Sequence, residues 1–225
     1  MSAICIIPAR GGSKRIPRKN VALFHGRPMI SWSIKAAFET GIFDQIIVST
    51  DDKEIAEVAR GEGADVPFFR PNDLADDFTP TVPVISHAIE MIGIAPDVAV
   101  CCLYATAPLV RSEDIRAGFD LLVNADSVIA ITTFPFPIQR SLRYSEDGGV
   151  QMLQPEYLLT RSQDLEETWH DAGQFYWARA SFWSEGGPLI GPGAKGLPLP
   201  RHYVQDIDTP EDWARAEVLF ASVKG

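Results

Sequence analysis

The sequence predicts an α/β fold in which a mostly parallel sheet is flanked by helices. Short apolar runs of strand length alternate along the chain with segments whose apolar residues recur at helical spacing. This alternation is typical of a parallel sheet with helices on both faces. The chain has 225 residues, of which 46% are hydrophobic and 22% charged, enough for one domain with a sizeable core. We therefore predict a single domain over residues 1–225.

Apolar periodicity places the individual elements. Predicted strands are short apolar runs that proline, glycine or charged residues end. Predicted helices carry apolar residues three and four positions apart, with Ser112 as the expected N-cap of the fourth and Asp208 or Thr209 as that of the last. The predicted strands are 4–7, 45–50, 66–69, 98–103, 127–133, 171–178 and 199–204, and the predicted helices are 29–41, 52–61, 84–92, 111–123 and 210–220.

Three stretches interrupt this alternation. Residues 134–170 contain an E-D-G-G turn between short alternating runs, which predicts a small antiparallel hairpin inserted into the domain. Residues 71–83 form an irregular connection rich in proline and aspartate. Because long irregular connections in compact domains often carry function, we interpret this one as a binding loop. Residues 186–196, rich in glycine, are expected to form a flexible loop.

The charge of the chain limits its partners. The formal net charge is −10 at pH 7, which argues against binding to nucleic acid or to an anionic membrane. Cys5, Cys101 and Cys102 lie in apolar runs and indicate buried thiols in a reducing compartment rather than disulfides. We see neither a leader sequence before the first strand nor an apolar run of membrane-spanning length, so we expect a cytoplasmic protein.

The most informative stretch follows the first strand. It combines two glycines, Gly11 and Gly12, with a dense group of cations. Glycines let the backbone approach an anion and point N–H groups at it, while the cations neutralise its charge. The spacing matches neither the dinucleotide fingerprint nor the ATPase phosphate loop, and a solvated basic turn is the plain alternative. We interpret the stretch as a polyphosphate-binding loop, with the cations Arg10, Lys14, Arg15, Arg18 and Lys19.

A pair of acids lies near the other end of the chain. Asp206 and Asp208 flank Ile207 after a predicted strand. Alternation would place both carboxylates on one side, where their oxygens could share a hard cation. Alternatively, Asp208 only caps the final helix and Asp206 is solvated. The residues alone leave both interpretations open.

Six motifs follow one another along the chain. They are P-A-R-G-G-S-K-R-I-P-R-K-N at 8–20, V-S-T-D at 48–51, F-R-P at 69–71, L-Y-A-T-A-P at 103–108, H-D-A-G-Q-F-Y-W at 170–177 and D-I-D-T at 206–209. Together they resemble the CMP-sialic-acid synthetase family of cytidylyltransferases, and L-Y-A-T-A-P and H-D-A-G-Q-F-Y-W resemble its pseudaminic acid branch. The resemblance covers essentially the whole chain. It implies the Rossmann-like fold of the nucleotide-diphospho-sugar transferases.

The resemblance implies an enzyme that couples CTP to a nine-carbon 2-keto-3-deoxy sugar acid and releases pyrophosphate, with pseudaminic acid as the favoured substrate. Tyr104 stands where sialic acid enzymes usually carry glutamine, and Asp171 where they carry asparagine, which disfavours N-acetylneuraminate. N-acetylneuraminate, legionaminate and Kdo stay open as alternative sugars. A metal-dependent glycosyltransferase and a non-catalytic nucleotide sensor are more distant alternatives. The resemblance also implies a homodimer that pairs through the hairpin at 134–170.

Roles for individual residues follow from the same resemblance. Asp206 and Asp208 are expected to bind Mg²⁺. With Arg10 and Lys19, which are matched to the β- and γ-phosphates, they are the expected catalytic residues. The expected nucleotide-binding residues are Ala9, Arg10, Gly11, Gly12, Ser13, Lys19, Asn20, Arg70, Thr79, Thr81 and Tyr104. The expected sugar-binding residues are Tyr104, Thr106, Arg140, Arg161, Asp171, Gln174 and Tyr176.

Overall fold

The computed structural model describes residues 2–224, which form a central sheet with helices on both faces and two small hairpins. The strands are β1 Ala3–Pro8, β2 Leu23–Phe24, β3 Arg27–Pro28, β4 Gln45–Ser49, β5 Ala99–Leu103, β6 Ser127–Thr133, β7 Leu142–Tyr144, β8 Val150–Met152, β9 Trp169–Arg179 and β10 Ala194–Pro198. The helices are α1 Met29–Thr40, α2 Lys53–Gly61, α3 Thr81–Ile92, α4 Ser112–Leu121, α5 Ala180–Glu185 and α6 Pro210–Lys224.

The central sheet has the strand order β10-β6-β9-β5-β1-β4. β1 pairs in parallel with β4 and β5, and β10 with β6, whereas β9 runs antiparallel between β5 and β6. The predicted mostly parallel α/β fold is thereby confirmed. Because β9 runs against its neighbours, its first residues lie at the edge where β5 and β6 end, and Asp171 pairs with Ile131 there. This edge carries the site described below.

Both faces of the sheet are covered, which explains why its strands read as continuous apolar runs. Successive residues of β1 point to opposite faces. Cys5 and Ile7 belong to the same core as Trp177, together with residues of α1, α2 and α4. Ile6 packs in the other core with Trp183 of α5 and residues of α3. The cysteines are buried and free, as expected.

Two predicted strands are wrong. No strand forms at residues 66–69. Only one isolated bridge flanks each end of this segment, Ile47 to Asp65 and Thr50 to Phe69, because Pro67 has no N–H to donate to a ladder. The strand predicted at 199–204 lies earlier, at Ala194–Pro198, where it pairs with β6. It begins within residues 186–196, which were expected to form a loop. Residues 201–203 form a 3₁₀ turn instead.

The predicted N-cap of α4 is wrong, whereas the N-cap of α6 is one of the two residues that were predicted. Arg111, not Ser112, precedes the first helical residue of α4, and its guanidinium pairs with Asp114 at 2.7 and 2.6 Å. Ahead of α6, Thr209 accepts the N–H of Asp212 at 3.2 Å and donates its own N–H back to Asp212 at 2.8 Å. Thr209 is therefore the cap of the last helix, one of the two predicted alternatives, which leaves Asp208 available for other contacts.

Residues 134–168 leave the central sheet after β6 and return to it at β9. β7 and β8 form the predicted antiparallel hairpin, with Leu142 opposite Met152 and Tyr144 opposite Val150. The segment exposes large apolar side chains, including Phe136, Tyr144, Leu158 and Leu159. No helix in the range 2–224 is long and apolar enough to cross a bilayer.

Candidate active site

The cationic loop of residues 10–20 is held against the start of α2. Gly11 donates its N–H to Asp51 Oδ1 at 3.0 Å. A Cβ on Gly11 would lie 2.6 Å from a carboxyl oxygen of Asp52, so only glycine permits this approach. Arg18, whose φ is 57°, pairs with Asp52 at 2.7 Å and also with Glu54. The Gly11 N–H was expected to point at a bound polyphosphate; this is corrected, since the carboxylate of Asp51 accepts it.

Asp52 connects this loop to α2. It accepts the backbone N–H groups of Glu54 at 2.9 Å and Ile55 at 3.0 Å, which makes it the N-cap of the helix. Partial burial alone would raise its pKa, but the hydrogen bonds from Arg18 and from the Ile55 N–H outweigh burial and lower the pKa below its ordinary value. Asp52 therefore stays ionised and ties the loop to the helix.

The loop cations face carboxylates from two distant parts of the chain. Arg10 and Lys14 pair with Asp77 at 2.6 and 2.5 Å. Arg15 and Lys19 pair with Asp208 at 2.9 and 3.3 Å. Lys19 Nζ also donates to the carbonyl of Ile207 at 2.6 Å. The N-terminal loop and the late acid pair, far apart in sequence, thus meet at one place.

A cavity of about 460 Å³ opens where they meet. Its loop side is cationic, whereas its opposite side is largely neutral and comes from the 71–80 connection, the start of α3 and the end of β5. Such a division of charge suits a ligand with one strongly anionic end. The cavity is lined by Pro8, Arg10, Ser13, Lys14, Arg15, Lys19, Asn20, Arg70, Asp77, Thr79, Thr81, Val84, Tyr104, Ala105, Thr106 and Asp208.

Arg70 supplies a buried positive charge to this cavity. It donates to the carbonyls of Ser49 at 2.9 Å and Leu74 at 3.3 Å, and its Nε has no hydrogen-bond partner among residues 2–224. Burial lowers the pKa of Arg70, Asp51 opposes that effect, and the charge of Arg10 lowers the pKa further. Arg70 Nε is thus a buried donor without a partner, which is uncommon in folded proteins.

A second cavity, of about 540 Å³, lies on the other side of Asp208. Asp208 lines both cavities, whereas Asp206 lines only the second, together with Asp171 and Asp212. The two acids were predicted to follow a strand directly. In the structure they come after the 3₁₀ turn at 201–203 instead. Ile207 between them is fully buried, so the predicted alternation still holds.

Asp206 and Asp208 are close enough to affect each other's ionisation. The pKa of Asp206 is raised, first by partial desolvation, although the residue keeps solvent contact, and then by the like charge of Asp208. Lys19 opposes this shift. Two carboxylates held this close, one of them partly desolvated, are a property of sites that bind a cation.

The family of the chain follows from comparison with known proteins. Residues 4–185 match the family model described as "Cytidylyltransferase". The chain belongs to the cytidylyltransferase family. A pseudaminic acid cytidylyltransferase of Campylobacter jejuni subsp. jejuni is 42% identical over 224 residues, which are 98% of this chain and 97% of that protein. The CMP-N,N'-diacetyllegionaminic acid synthase of Legionella pneumophila is 34% identical, with 98% and 97% of the two chains covered.

Solved structures agree on the fold of this cytidylyltransferase. The structure of a CMP:2-keto-3-deoxy-manno-octonic acid synthetase complexed with CTP aligns with a TM-score of 0.71 over 99% of both chains. Its sequence identity to the present chain is 16%, so the similarity concerns the fold alone. The predicted Rossmann-like sugar-nucleotide transferase fold is confirmed.

The cytidylyltransferase cavities bring together only part of the predicted residue set. Ala9 is buried beneath the loop, and Gly11 and Gly12 line neither cavity. Asp171 lines the second cavity, on the side away from the cations. Those predicted residues that line the first cavity are Arg10, Ser13, Lys19, Asn20, Arg70, Thr79, Thr81, Tyr104, Thr106 and Asp208.

Four residues predicted to bind the sugar lie outside both cavities. Gln174 is buried and donates to the carbonyl of Tyr203, and Tyr176 is 5% exposed. Arg140 and Arg161 lie on the 134–168 segment, where Arg140 donates to the carbonyl of Thr160 at 3.2 Å and Arg161 pairs with Asp164 at 2.7 Å. None of the four lines either cavity of its own chain, so their assignment to the sugar stays a prediction.

Sequence reasoning missed the acids that organise the loop. Asp51 and Asp52 were recognised only as a helix start, and Asp77 only as part of a proline- and aspartate-rich connection. The available signal was that Asp51 and Asp52 directly follow the carboxyl end of β4, at the edge where β1 also ends in the cationic loop. Asp77 lies in the connection after the extended residues 65–69, which are bridged to β4 and to Thr50. Acids at that edge are the natural partners of the loop cations.

Proposed function

We propose that this chain couples CTP to pseudaminic acid, a nine-carbon 2-keto-3-deoxy sugar acid, and forms the CMP-sugar and pyrophosphate. The observation that carries the proposal is the contact of Lys19 with both the Ile207 carbonyl, at 2.6 Å, and Asp208, at 3.3 Å. This contact joins the cationic loop to Asp208, the member of the acid pair that lines the first cavity. The 42% identical pseudaminic acid cytidylyltransferase supports the choice of sugar.

The triphosphate would take the cationic side of the first cavity. Arg10 offers a planar fork and Lys19 a compact charge, and both are already held by carboxylate and carbonyl contacts. Groups that are positioned before the reaction stabilise the charge that builds up on departing pyrophosphate without further reorganisation. Asn20, whose amide donates to the Arg10 carbonyl at 2.9 Å, keeps the loop in this arrangement.

Asp206 and Asp208 fit a magnesium ion in the kind of atoms they offer. Their carboxylate oxygens are hard donors, and the pKa of Asp206 is raised by desolvation and by the like charge of Asp208. No group of three or more His, Cys, Asp or Glu residues within 2–224 could hold a metal alone. Mg²⁺ commonly takes only one or two carboxylates and completes its shell with water and substrate phosphates. When bound, it would neutralise phosphate charge and lower the pKa of the attacking hydroxyl.

The reaction then needs positioning rather than a covalent intermediate on the protein. The anomeric hydroxyl of the sugar loses its proton to solvent and its oxygen forms a bond to the α-phosphorus. The bond from that phosphorus to the oxygen that bridges to the β-phosphorus breaks, and pyrophosphate leaves with that electron pair. Arg10 and Lys19 hold the leaving group, and Asp208 lies between the two cavities where nucleotide and sugar meet. Effective proximity of this kind accounts for much of the rate enhancement in phosphoryl transfer.

We further propose a homodimer formed through the 134–168 segment. Its exposed apolar side chains include Phe136 at 79%, Tyr144 at 76% and Leu159 at 94%. A patch of this kind is characteristic of an interface, and a second copy would also cover the free edges of β7 and β8. Arg161, which lines neither of the two cavities described above, would then be available to the sugar carboxylate in the neighbouring copy.

The decisive experiment follows pyrophosphate release by purified protein with CTP, Mg²⁺ and a panel of nine-carbon sugar acids. We expect release with pseudaminic acid and not with CTP alone. Absence of release with every sugar would overturn the proposed enzyme. Preferred turnover of N-acetylneuraminate or legionaminate would overturn the choice of sugar only. The reaction is proposed to take place in the cytoplasm, where CTP is supplied.

Mixing two inactive variants tests the dimer. If Arg161 serves the neighbouring copy, then Arg161→Ala and Asp208→Asn chains should regain activity when they are unfolded and refolded together. In the mixed dimer one site receives an intact Asp208 and an intact Arg161. Loss of Arg161 that cannot be rescued by mixing would assign this residue to its own chain or to the structure of the segment.

A further inference from the structure

A bulge in β9 lies next to the acid pair. Ala130 of β6 alone stands opposite residues 172–175 of β9, so β9 leaves the regular ladder there. Gly173, within this bulge, has a φ of 61°, a value that glycine adopts more readily than other residues. A Cβ on Gly173 would lie 3.5 Å from the carboxyl carbon of Asp206. The backbone of the bulge is therefore a neighbour of the first acid of the pair.

Gln174, the next residue of the bulge, connects the end of β5 with the turn that precedes the acid pair. Its side-chain amide donates to the carbonyl of Tyr203, in the 3₁₀ turn at 201–203, at 2.5 Å. Because a backbone carbonyl can only accept, the nitrogen of the amide and not its oxygen must face Tyr203. The backbone carbonyl of Gln174 accepts the N–H of Tyr104 at 2.8 Å.

The surroundings of Gln174 show what its amide contributes. The residue is 2% exposed and lines neither cavity. Its Oε1 has no hydrogen-bond partner among residues 2–224. A buried acceptor without a partner destabilises the folded state, and an apolar side chain of the same length would avoid this cost. The hydrogen bond to Tyr203 is therefore the one favourable polar contact that the side chain of Gln174 makes within the described residues.

The two acids of the pair are held in different ways. The carboxylate of Asp208 pairs with Arg15 at 2.9 Å and with Lys19 at 3.3 Å. Within residues 2–224 the carboxylate of Asp206 forms no hydrogen bond, and Gln205 donates only to its backbone carbonyl. The position of the Asp206 carboxylate therefore depends on the backbone on either side of it.

That backbone is anchored on both sides of Asp206. Ile207, which follows it, is fully buried in the core next to α6. Tyr203, which precedes it, is fixed through its carbonyl by Gln174, and the guanidinium of Arg111 lies 4.2 Å from the centre of its ring. Since Asp206 lies in the short stretch between these anchors, loss of one of them should let its carboxylate move relative to the second acid.

We propose that Gln174 is a positioning residue for the acid pair: its hydrogen bond to the Tyr203 carbonyl fixes Asp206 relative to the second acid, so that both carboxylates can share one magnesium ion. The inference rests on the proposed function, in which the pair holds Mg²⁺. Residues that hold a metal ligand in place act on metal affinity. This role differs from the predicted contact of Gln174 with the sugar, which would act on KM for the sugar.

The test uses Gln174→Met, which keeps the length of the side chain and removes the donor. We expect the Mg²⁺ concentration for half-maximal activity to rise about tenfold, the lower end of the loss that follows removal of such a positioning residue. Excess Mg²⁺ should restore kcat, and KM for the sugar should not change. Electron paramagnetic resonance of Mn²⁺ with protein and CTP, without sugar and so without turnover, should show the same loss of metal affinity.

Gln139→Met is the matched control. Gln139 is also buried, donates its amide to a backbone carbonyl, that of Glu166 at 3.1 Å, and has an Oε1 without a partner among residues 2–224. Its substitution should change the melting temperature comparably and leave the Mg²⁺ requirement unchanged. In an Asp206→Asn background, Gln174→Met should weaken Mn²⁺ binding no further, because both changes act on one carboxylate.

Several results would overturn the inference. An unchanged Mg²⁺ requirement in Gln174→Met would leave the residue a structural role only, and a raised KM for the sugar alone would make it a sugar contact. Tyr203→Ala should loosen the same turn and also raise the Mg²⁺ requirement. An unchanged requirement in this variant would decide against the inference even if Gln174→Met does not fold. Failure of the proposed function is distinguishable, because wild-type protein would then release no pyrophosphate from CTP with any sugar acid.

Discussion

The two cavities that meet at Asp208 differ in the balance of their charges. In the first, the loop cations Arg10, Lys14, Arg15 and Lys19 are each paired with a carboxylate at 3.3 Å or less. The second is lined by Asp171, Asp206, Asp208 and Asp212, and the pKa of Asp206 is raised, first by desolvation and then by the charges of these neighbours. In the first lining five cations share two carboxylates, whereas in the second four carboxylates lie with one arginine, so the first cavity has a positive balance and the second a negative one.

This difference indicates how each side would receive a ligand. A paired cation can exchange its carboxylate for a phosphate at little electrostatic cost, because one anion replaces another. Crowded carboxylates gain only from a cation or a proton. Asp208 lines both cavities. Substitutions of this residue and of its partners are therefore the most direct way to distinguish the roles of the two cavities.

The largest expected effect is that of Asp208→Asn. The substitution keeps the shape of the side chain but removes the charge that both cavities share, and we expect kcat to fall by about a thousandfold or more. Circular dichroism and a melting curve should show an intact fold. Glu211→Gln, which affects a carboxylate paired with Arg215 at the surface, is the control and should be nearly silent. Near-normal turnover of Asp208→Asn would show that the charge of Asp208 is not needed at either cavity.

Substitutions of Arg10 and Lys14 compare a cation that is expected to act on the ligand with one that is mainly solvated. Both pair with Asp77, but the Arg10 side chain is 34% exposed and Lys14 is 80% exposed. We expect Arg10→Met to lower kcat/KM for CTP by about a hundredfold, as for loss of one preorganised donor, and Lys14→Met to change it only severalfold. Equal losses in steady-state kinetics would show that the loop acts through its summed charge.

A smaller effect of opposite sign is expected for Asp77→Asn. The carboxylate of Asp77 competes with phosphate for Arg10 and Lys14, so its neutralisation should tighten CTP binding severalfold. Titration calorimetry at low and high salt should show the gain shrinking as salt screens the charges. Asp73→Asn, on the same connection, is the control. Weaker CTP binding by Asp77→Asn would show that Asp77 positions the cations instead of competing for them.

The smallest expected effect concerns the support of the loop. Asp52→Ala removes the α2 cap and the Arg18 partner, and we expect it to cost about 1 kcal/mol of unfolding free energy at pH 7. Because the pKa of Asp52 is lowered in the folded state, its contribution is present above its ordinary pKa of 3.8 and is lost as pH falls below it. The melting temperatures of wild type and variant should therefore converge in acid.

Asp120→Ala, at an exposed position of α4, provides the reference for these melting curves. A difference between wild type and Asp52→Ala that stayed constant across the pH range would show that the Asp52 charge does not contribute. A difference confined to CTP kinetics, with unchanged melting, would show that Asp52 supports the loop without stabilising the domain.

The sequence predicted the residues of both halves of the site but not the partners that hold them in place. The cationic loop and the Asp206–Asp208 pair were both recognised from local patterns, and the structure brings them to one cavity. Their partners were not recognised, because Arg10 and Asp77 stand 67 positions apart and become neighbours only at the sheet edge. Burial of Tyr176 was likewise missed, since alternation along β9 does not tell which face a neighbouring strand and helix will cover.

The sequence by itself determined the strand and helix alternation, the fold class and the charges available at the site, because periodicity and residue type are local properties. Only the tertiary structure decided which carboxylate each cation meets, that β9 runs antiparallel and carries Asp171 to the active edge, and that β10 lies at 194–198. These choices depend on contacts between residues distant in the chain, whose energies exist only once the sheet has formed.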